Sequence, residues 1–365
     1  MNDMKMNNYS NKIIQSDLKK IKDSGLEYEK FNKKTFCITG GTGMLASYII
    51  FFLIYLNENI KDFECNVILL IRNEKKCFEK YGKYLEKEYF KVYKCDICEE
   101  INIPDKIDYI IHAASIASTE LFIKNPIETI LPNSLGTYRL LELAEKNKVD
   151  KFLFFSTNVC GRINNIEELT EENVGLVNHL DMCNSYIEAK KFGETLCKAY
   201  FNQKNVNVNI ARIFHVYGPS VDLESDHRVF AEFANNVIHN QDIIMKSDGS
   251  QVRDFCYISD STEAFLRILL YGQTGEVYNV CNPVEKKSIL EIAQMLKEIY
   301  KDKGIEVIYN ERKKDDTYVE KRVFLDSIKI SIRKMNEIGW VPKVDVAEGF
   351  SRMIESFEEK KNEEN

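Results

Sequence analysis

From residue 35 to residue 213 the chain alternates short apolar runs with amphipathic helical stretches, and this alternation constrains its fold more than any other feature. The runs are "TFCIT", "NVILLI", "FKVYKCD", "DYIIHAA", "KFLFFS" and "NVNIARI", and helical segments such as "MLASYIIFFLIYL", "LLELAEK" and "SYIEAKK" lie between them. Apolar strands separated by helices belong in a parallel sheet, because a parallel connection must cross over and the crossing helices cover both faces. The expected fold class is α/β, a doubly wound parallel sheet. After residue 214 the alternation loosens. Loops such as "VYGPSVDLESDHR" and "MKSDGSQVRD" precede a short strand "EVYNV", a helix near "ILEIAQMLKEIY" and a closing "IGWVPKVDVAEGF". These segments are expected to build a smaller C-terminal lobe over the carboxyl edge of the sheet.

Composition excludes several classes. At 365 residues with 44% hydrophobic content the chain can bury a full core, and its charge of -7 comes from 57 acids and 50 bases spread along it. No basic stripe is available to track a phosphate backbone, so nucleic acid is not an expected partner. The start lacks the features of a secretory signal, which predicts a cytoplasmic protein whose ten cysteines are thiols. Cys95 and Cys98 in "CDIC" have half-site spacing without a second half, so no metal is expected. The longest apolar run, thirteen residues at 44–56, is short for a bilayer span and reads as a buried helix.

The turn after the first strand reads "TGGTGMLAS", with Gly40, Gly43 and Ala46 in G-x-x-G-x-x-A spacing. A strand-to-helix turn of this kind lets backbone approach a pyrophosphate, which the unpaired N–H groups and positive dipole end of the next helix attract. Gly40, Gly43, Met44 and Leu45 are therefore candidate cofactor contacts in a Rossmann arrangement, and Ala46 lets the helix lie close to the strand. The second strand ends in "IRNEKK" without an acid for the adenosine ribose. Arg72 there either holds a 2'-phosphate, favouring NADP, or stacks on adenine, which suits NAD as well. Asp96, followed by Ile97 in "KCDI", either meets the adenine amino group or caps a turn.

Tyr186 and Lys190 in "MCNSYIEAKK" are one helical turn apart, so both side chains leave the same face. That geometry suits proton transfer from an alcohol, although a solvated helix face would give the same pair.

The glycine turn, "DYIIHAAS", "LPNSLGTYRLLELA", "FFST", "YIEAK", "RIFHVYGP", "SDGSQVRDFCYISD" and "VYNVCNP" follow one another in the order of the extended short-chain dehydrogenase/reductases that act on nucleotide sugars. Over residues 35–350 the chain resembles this NAD-dependent epimerase/dehydratase family. "HAASIAS", "NPIETILPNSLGT" and "IARIFHVYGP" look most like UDP-glucuronate decarboxylases and dTDP-glucose 4,6-dehydratases. The resemblance implies that Tyr186 is the general acid/base, that Lys190 binds the nicotinamide ribose and lowers the tyrosine pKa, and that Thr157 hydrogen-bonds the reacting hydroxyl. It implies that Ala113, Ala114, Ser115 and Asn133 line or order the cofactor side. Arg228 and Arg253 match positions near the nucleotide diphosphate, with surface ion pairing as the alternative. His215 replaces a common asparagine and either contacts substrate or satisfies a backbone carbonyl. The implied ligands are NAD or NADP and a nucleotide-diphosphate sugar, and the implied assembly is a homodimer. The corresponding organisation is a helical extension at 1–34 with the stripe Ile14, Leu18 and Ile21, a dinucleotide-binding domain at 35–214, a substrate lobe at 215–355 interleaved with that core, and a charged tail at 356–365.

Departures from the family pattern bear on the reaction. Where dehydratases carry an acid and a carboxylate, "STNVCG" places Asn158 and Val159, and Ser220 stands where decarboxylases carry an arginine. Elimination and decarboxylation lose support, whereas 4-epimerisation needs no further base, so a 4-epimerase is the expectation. A dehydratase or decarboxylase drawing its carboxylate from elsewhere, and a net C4 oxidoreductase, are the runners-up. Cys160 and Cys183 either reach substrate or are small core thiols. A redox-sensing binding protein without catalysis is the rival of another class, and the presence of Thr157, Tyr186 and Lys190 argues against it.

Overall fold

The apolar runs form strands and the helices between them carry the chain back for parallel pairing. The computed structural model describes residues 8–158, 166–310 and 328–364. The central sheet runs in the order Val277–Val280, Val208–Ile213, Lys151–Thr157, Tyr109–His112, Thr35–Thr39, Asn66–Ile71, Phe90–Lys94, and each neighbouring pair is parallel. The order of connection reverses between Thr35–Thr39 and Tyr109–His112. Their carboxyl ends therefore open a crevice at the topological switch point. Val208–Ile213 is buried at every position, as a strand covered on both faces must be.

The apolar helix Met44–Asn59 lies inside the molecule between the sheet and outer helices, and among the described residues no helix is long and apolar enough to cross a membrane. The N-terminal segment forms the helix Lys12–Lys22, capped by the Asn11 side chain, and buries Ile14, Leu18 and Ile21. It also buries Asp17, an acid on the same face.

Beyond residue 214 the chain adds a small sheet of Lys286–Ser288, Val252–Tyr257 and His215–Tyr217, a pair of strands Ile243–Met245 and Val307–Tyr309, and the helices Val229–Ile238, Ile289–Ile299 and Val346–Glu364. The strand Val277–Val280 does not belong to this lobe: it pairs with Val208–Ile213 and forms the edge of the central sheet. The charged stretch from 356 begins inside the last helix, because Phe357 completes the buried set Phe350, Met353 and Ile354 at helical spacing.

Candidate active site

The two glycines of the turn do different work. Gly40 has φ +68°, and a Cβ on it would lie 2.7 Å from Ala114 N and 2.8 Å from Ala113 C and O. The turn thus presses against the backbone leaving the fourth strand, and only glycine permits that contact. Gly43 caps the helix Met44–Asn59 with no side-chain hydrogen bond, and a Cβ there would meet only Gly40 O, at 3.2 Å. The first intrahelical bond is Ser47 N–H to Gly43 O, so the N–H groups of Met44, Leu45 and Ala46 have no helical acceptor. An open approach, a glycine cap and free amides at a helix N-terminus fit a dinucleotide pyrophosphate.

The turn is fixed from below. Tyr81 donates its hydroxyl hydrogen bond to Gly41 O, Ser220 donates to Met44 O at 3.0 Å, and Lys80 donates to Ser220 O at 2.8 Å. Ser220 is buried, so it supports the glycine turn and does not face the crevice. At the far end, Arg72 is 64% exposed and stands 3.8 Å from Asp96. Asp96 accepts from Cys98 N at 2.9 Å, so it caps its own turn while facing Arg72. Ile97 is buried, and its Cδ1 lies where a side chain on Gly136 would have to go, 2.8 Å from the added Cβ.

His112, a residue the motif reading passed over, ties the crevice together. Thr39 Oγ1 accepts from Ala113 N at 3.2 Å and Ala114 N at 3.1 Å and donates to His112 Nδ1 at 2.9 Å; Nε2 then carries the hydrogen and donates to Pro132 O at 3.1 Å. Burial, reinforced by the Lys190 charge, lowers the His112 pKa to about 3, so the ring is neutral. The signal in the sequence is a polar residue in an apolar run followed by small residues. Pro132–Gly136 forms a π-turn, the wider winding that often marks functional sites. It presents the buried Asn133, whose amide donates to Ser115 Oγ at 2.8 Å and Thr129 O at 2.7 Å and whose Oδ1 has no partner.

Tyr186 and Lys190 lie on the helix Ser185–Lys204. The Tyr186 ring stacks on Phe122 with centroids 5.4 Å apart, and its hydroxyl hydrogen-bonds with Thr157, which ends the strand Lys151–Thr157. Burial raises the tyrosine pKa, against the Thr157 hydrogen bond and the charge of Arg228. Lys190 donates to Phe155 O at 2.6 Å, with its ammonium 5.8 Å from the Tyr186 ring centroid. Burial lowers its pKa to about 7, opposed chiefly by Glu194 one turn further on. Glu194 pairs with Arg212 at 3.0 and 2.8 Å and accepts from Ser156 at 2.6 Å. This buried bridge, whose signal was an acid four residues after Lys190, locks the helix to the strand Val208–Ile213.

Asn158 is placed beside Thr157, with its amide oxygen 3.4 Å from the Thr157 hydroxyl. Val159 and Cys160 lie outside the described residues. Cys183 is half-buried ahead of Tyr186. Arg228 is held by Asp226 through Nε, at 2.9 and 3.0 Å, and through Nη2, and stacks on Phe230. It comes close enough to Tyr186 for its charge to act there, which the reading of Arg228 as a phosphate ligand did not foresee. Arg253 donates to Val252 O at 2.9 Å and Gln251 Oε1 at 2.7 Å and is the register partner of Lys287. His215 Nδ1 bonds no backbone carbonyl; it faces Asp254 at 3.8 Å. A cavity of about 460 Å³ opens beside Asp226, lined among others by Leu223, His227, Phe233, Ile244 and Lys246. Among the described residues no cluster of metal-ligating side chains occurs.

Comparison with known proteins agrees with this geometry. The family model described as "NAD dependent epimerase/dehydratase family" matches residues 36–281. UDP-glucuronic acid decarboxylase 6 of Arabidopsis thaliana is 30% identical over 322 residues, 88% of each chain. The dTDP-D-glucose 4,6-dehydratase of Bos taurus is 28% identical over 334 residues, 89% of each. Among solved structures, a UDP-N-acetylglucosamine 4-epimerase from Methanobrevibacter ruminantium superposes with a TM-score of 0.74 at 20% identity, covering 90% of this chain and 99% of that one. A UDP-glucuronic acid 4-epimerase from Bacillus cereus in complex with NAD gives 0.70 at 23%, covering 89% and 99%. At these identities the structural likeness establishes the fold.

Proposed function

The chain belongs to the NAD dependent epimerase/dehydratase family, and we propose that it inverts C4 of a nucleotide-diphosphate sugar through a transient 4-keto intermediate. NAD, held by Gly40, Gly43, Met44, Leu45 and the crevice residues Ala113, Ala114, Ser115 and Asn133, supplies the two-electron oxidation at C4 and its reversal. Tyr186 takes the proton from the 4-hydroxyl and later returns it to the ketone oxygen. Its phenolate is costly in a buried site, and Thr157 and Arg228 lower that cost. Lys190, one turn along, binds the ribose hydroxyls and adds positive charge beside the phenol. Arg253 holds the diphosphate, and the cavity beside Asp226 accommodates the base.

The observation that carries this reading is the amide of Asn158 next to Thr157. Loss of water across C5 and C6 needs a proton donor to the leaving hydroxyl as well as a base, and the amide that stands in this segment is neither at neutral pH. C4 inversion needs only the Tyr186 proton shuttle and a ketone that turns over between the two half-reactions. Decarboxylation is the second reading, favoured by the similarity to the plant UDP-glucuronic acid decarboxylases.

Incubation with UDP-, dTDP-, GDP- and CDP-sugars, followed by mass spectrometry and NMR, separates them. Unchanged mass with inverted C4 is the expected result, and a C4 deuterium should survive turnover. Loss of water, loss of carbon dioxide or a two-hydrogen change would replace the proposal by dehydratase, decarboxylase or net redox chemistry. Tyr186→Phe should bind NADH normally and lose at least about 1,000-fold in turnover.

The enzyme works as a cytoplasmic homodimer. Ile127 and Leu131 on the helix Pro126–Leu131 are 65% and 41% exposed, and Phe192 on the neighbouring helix Ser185–Lys204 is 51% exposed, an apolar face suited to a second copy. Phe192→Glu should shift the mass measured by light scattering from dimer to monomer.

A further inference from the structure

His215 and Asp254 are held in an arrangement that 4-epimerisation does not use. The strand His215–Tyr217 runs parallel to Val252–Tyr257, with His215 opposite Phe255, so Asp254 is the next residue back along the neighbouring strand. Asp254 is 7% exposed. Its Oδ2 and the facing His215 Nδ1 are both buried without a hydrogen-bond partner, 3.8 Å apart. The His215 side chain is nevertheless 37% exposed. The buried Nδ1 contributes none of that exposure. Ile213 is the register partner of Thr157, and Asn158 N donates to Ile213 O at 3.2 Å, so His215 leaves the chain two residues beyond the partner of Thr157. It stands at the same carboxyl edge as Thr157 and Tyr186.

We infer that His215 is a second acid/base of this site, positioned by Asp254, and exchanges a proton on a carbon adjacent to the C4 ketone. The inference rests on the 4-keto reading. Once C4 is a ketone, the neighbouring C–H is acidic, and His215 takes that proton at Nε2. The C–H electron pair forms the carbon–carbon double bond of the enolate, and the Tyr186 hydroxyl, protonated in the preceding step, donates a hydrogen bond to O4. The positive charge that forms on the ring faces the Asp254 carboxylate, whose Oδ2 lies 3.8 Å from Nδ1. Return of the proton from Nε2 restores the ketone, so no oxidant or reductant is consumed.

The test is turnover in deuterium oxide of UDP-glucose and dTDP-glucose within the wider panel; neither carries a C6 carboxylate, so no label can enter through decarboxylation. Expected is deuterium at C3 or C5 of the C4-inverted product. His215→Asn should lower deuterium incorporated per C4 inversion at least tenfold, and Asp254→Asn should lower it to a smaller degree. Thermal melts with NADH check that each variant is folded, and where one is not, the other carries the comparison. C4 inversion without deuterium in the unmodified protein, or an unchanged ratio in the folded variants, overturns the inference and leaves the epimerase reading intact. Loss of water overturns the epimerase reading alone, and deuterium at C5 of that product, lowered in His215→Asn, then carries the role of His215; no C4 chemistry with any sugar overturns both.

Discussion

Within one turn, two glycines have separable consequences. Gly40 is required by the fold, since its φ of +68° and the backbone at 2.7 Å leave no place for a side chain. An added Cβ on Gly43 meets one carbonyl, Gly40 O at 3.2 Å, and otherwise open space, so a side chain there asks only a small shift of the turn and blocks what approaches the helix end. Gly43→Val should melt within a few degrees of the unmodified protein while NADH affinity falls by on the order of 100-fold. Gly40→Ala should lower both. Normal NADH binding by Gly43→Val would remove the helix N-terminus from the cofactor site. The G-x-x-G-x-x-A spacing made the turn legible, but spacing carries no dihedral, so it did not separate these burdens. Lys190 adds a pH dependence. Its folded pKa of about 7 lies below the ordinary lysine value, so between the two the unfolded chain holds a proton that the native site has released. Stability from this group therefore rises with pH above 7. Compared with Lys190→Met, the cofactor-free protein should gain about 1 kcal/mol more per pH unit between pH 7 and 8.5, read from urea unfolding. Buried thiols and Lys80 contribute equally to both proteins and cancel. Equal slopes would mean that Lys190 keeps its proton in the folded state.

At the scale of elements, the helix Ser185–Lys204 is set by contacts that local pattern cannot carry. A Cβ on Gly193 would lie 2.4 Å from Phe154 Cζ and 3.0 Å from Asn133 O, so the helix sits close against the strand Lys151–Thr157 and the π-turn together. Glu194 then pins it through Arg212 and Ser156. Periodicity foretold the helix and the face that Tyr186 and Lys190 share. It did not foretell the π-turn, because Pro132 inside an apolar helical stretch reads equally as a break or a kink. Glu194→Ala leaves Arg212 buried and without its carboxylate, and should cost about 3–5 kcal/mol of stability. Glu194→Leu combined with Arg212→Met should recover much of this, because both charges are then gone. Equal losses in the single and double variants would mean that packing, not the ion pair, fixes the helix.

At the scale of the whole molecule, the N-terminal segment joins parts that the sequence kept distant. Asp17 accepts from the Tyr48 hydroxyl at 2.8 Å and the Tyr257 hydroxyl at 2.9 Å, and from Arg352 Nε at 3.1 Å. Tyr48 lies one turn into the helix that begins at the glycine turn. Tyr257 ends the strand that carries Arg253 and Asp254, and Arg352 belongs to the last helix. A helical extension with an apolar stripe was legible, and Asp17 falls on that stripe at i+3 from Ile14. Its role was not, because its three partners lie 31, 240 and 335 residues away. Removing the carboxylate leaves a largely buried guanidinium beside two phenols, so Asp17→Ala should lose about 3–5 kcal/mol of stability. Since the same carboxylate braces both the helix that begins at the glycine turn and the strand bearing Arg253, the proposed roles of the two predict that NADH affinity and the KM for the nucleotide sugar should both weaken in the folded variant. Asp17→Leu with Arg352→Met should restore more stability than ligand affinity, because apolar packing replaces the buried charge but not the hydroxyl hydrogen bonds. A loss below about 1 kcal/mol in Asp17→Ala, with both affinities unchanged, would make the N-terminal helix a cover for the core and not a brace between the helix after the glycine turn and the strand bearing Arg253.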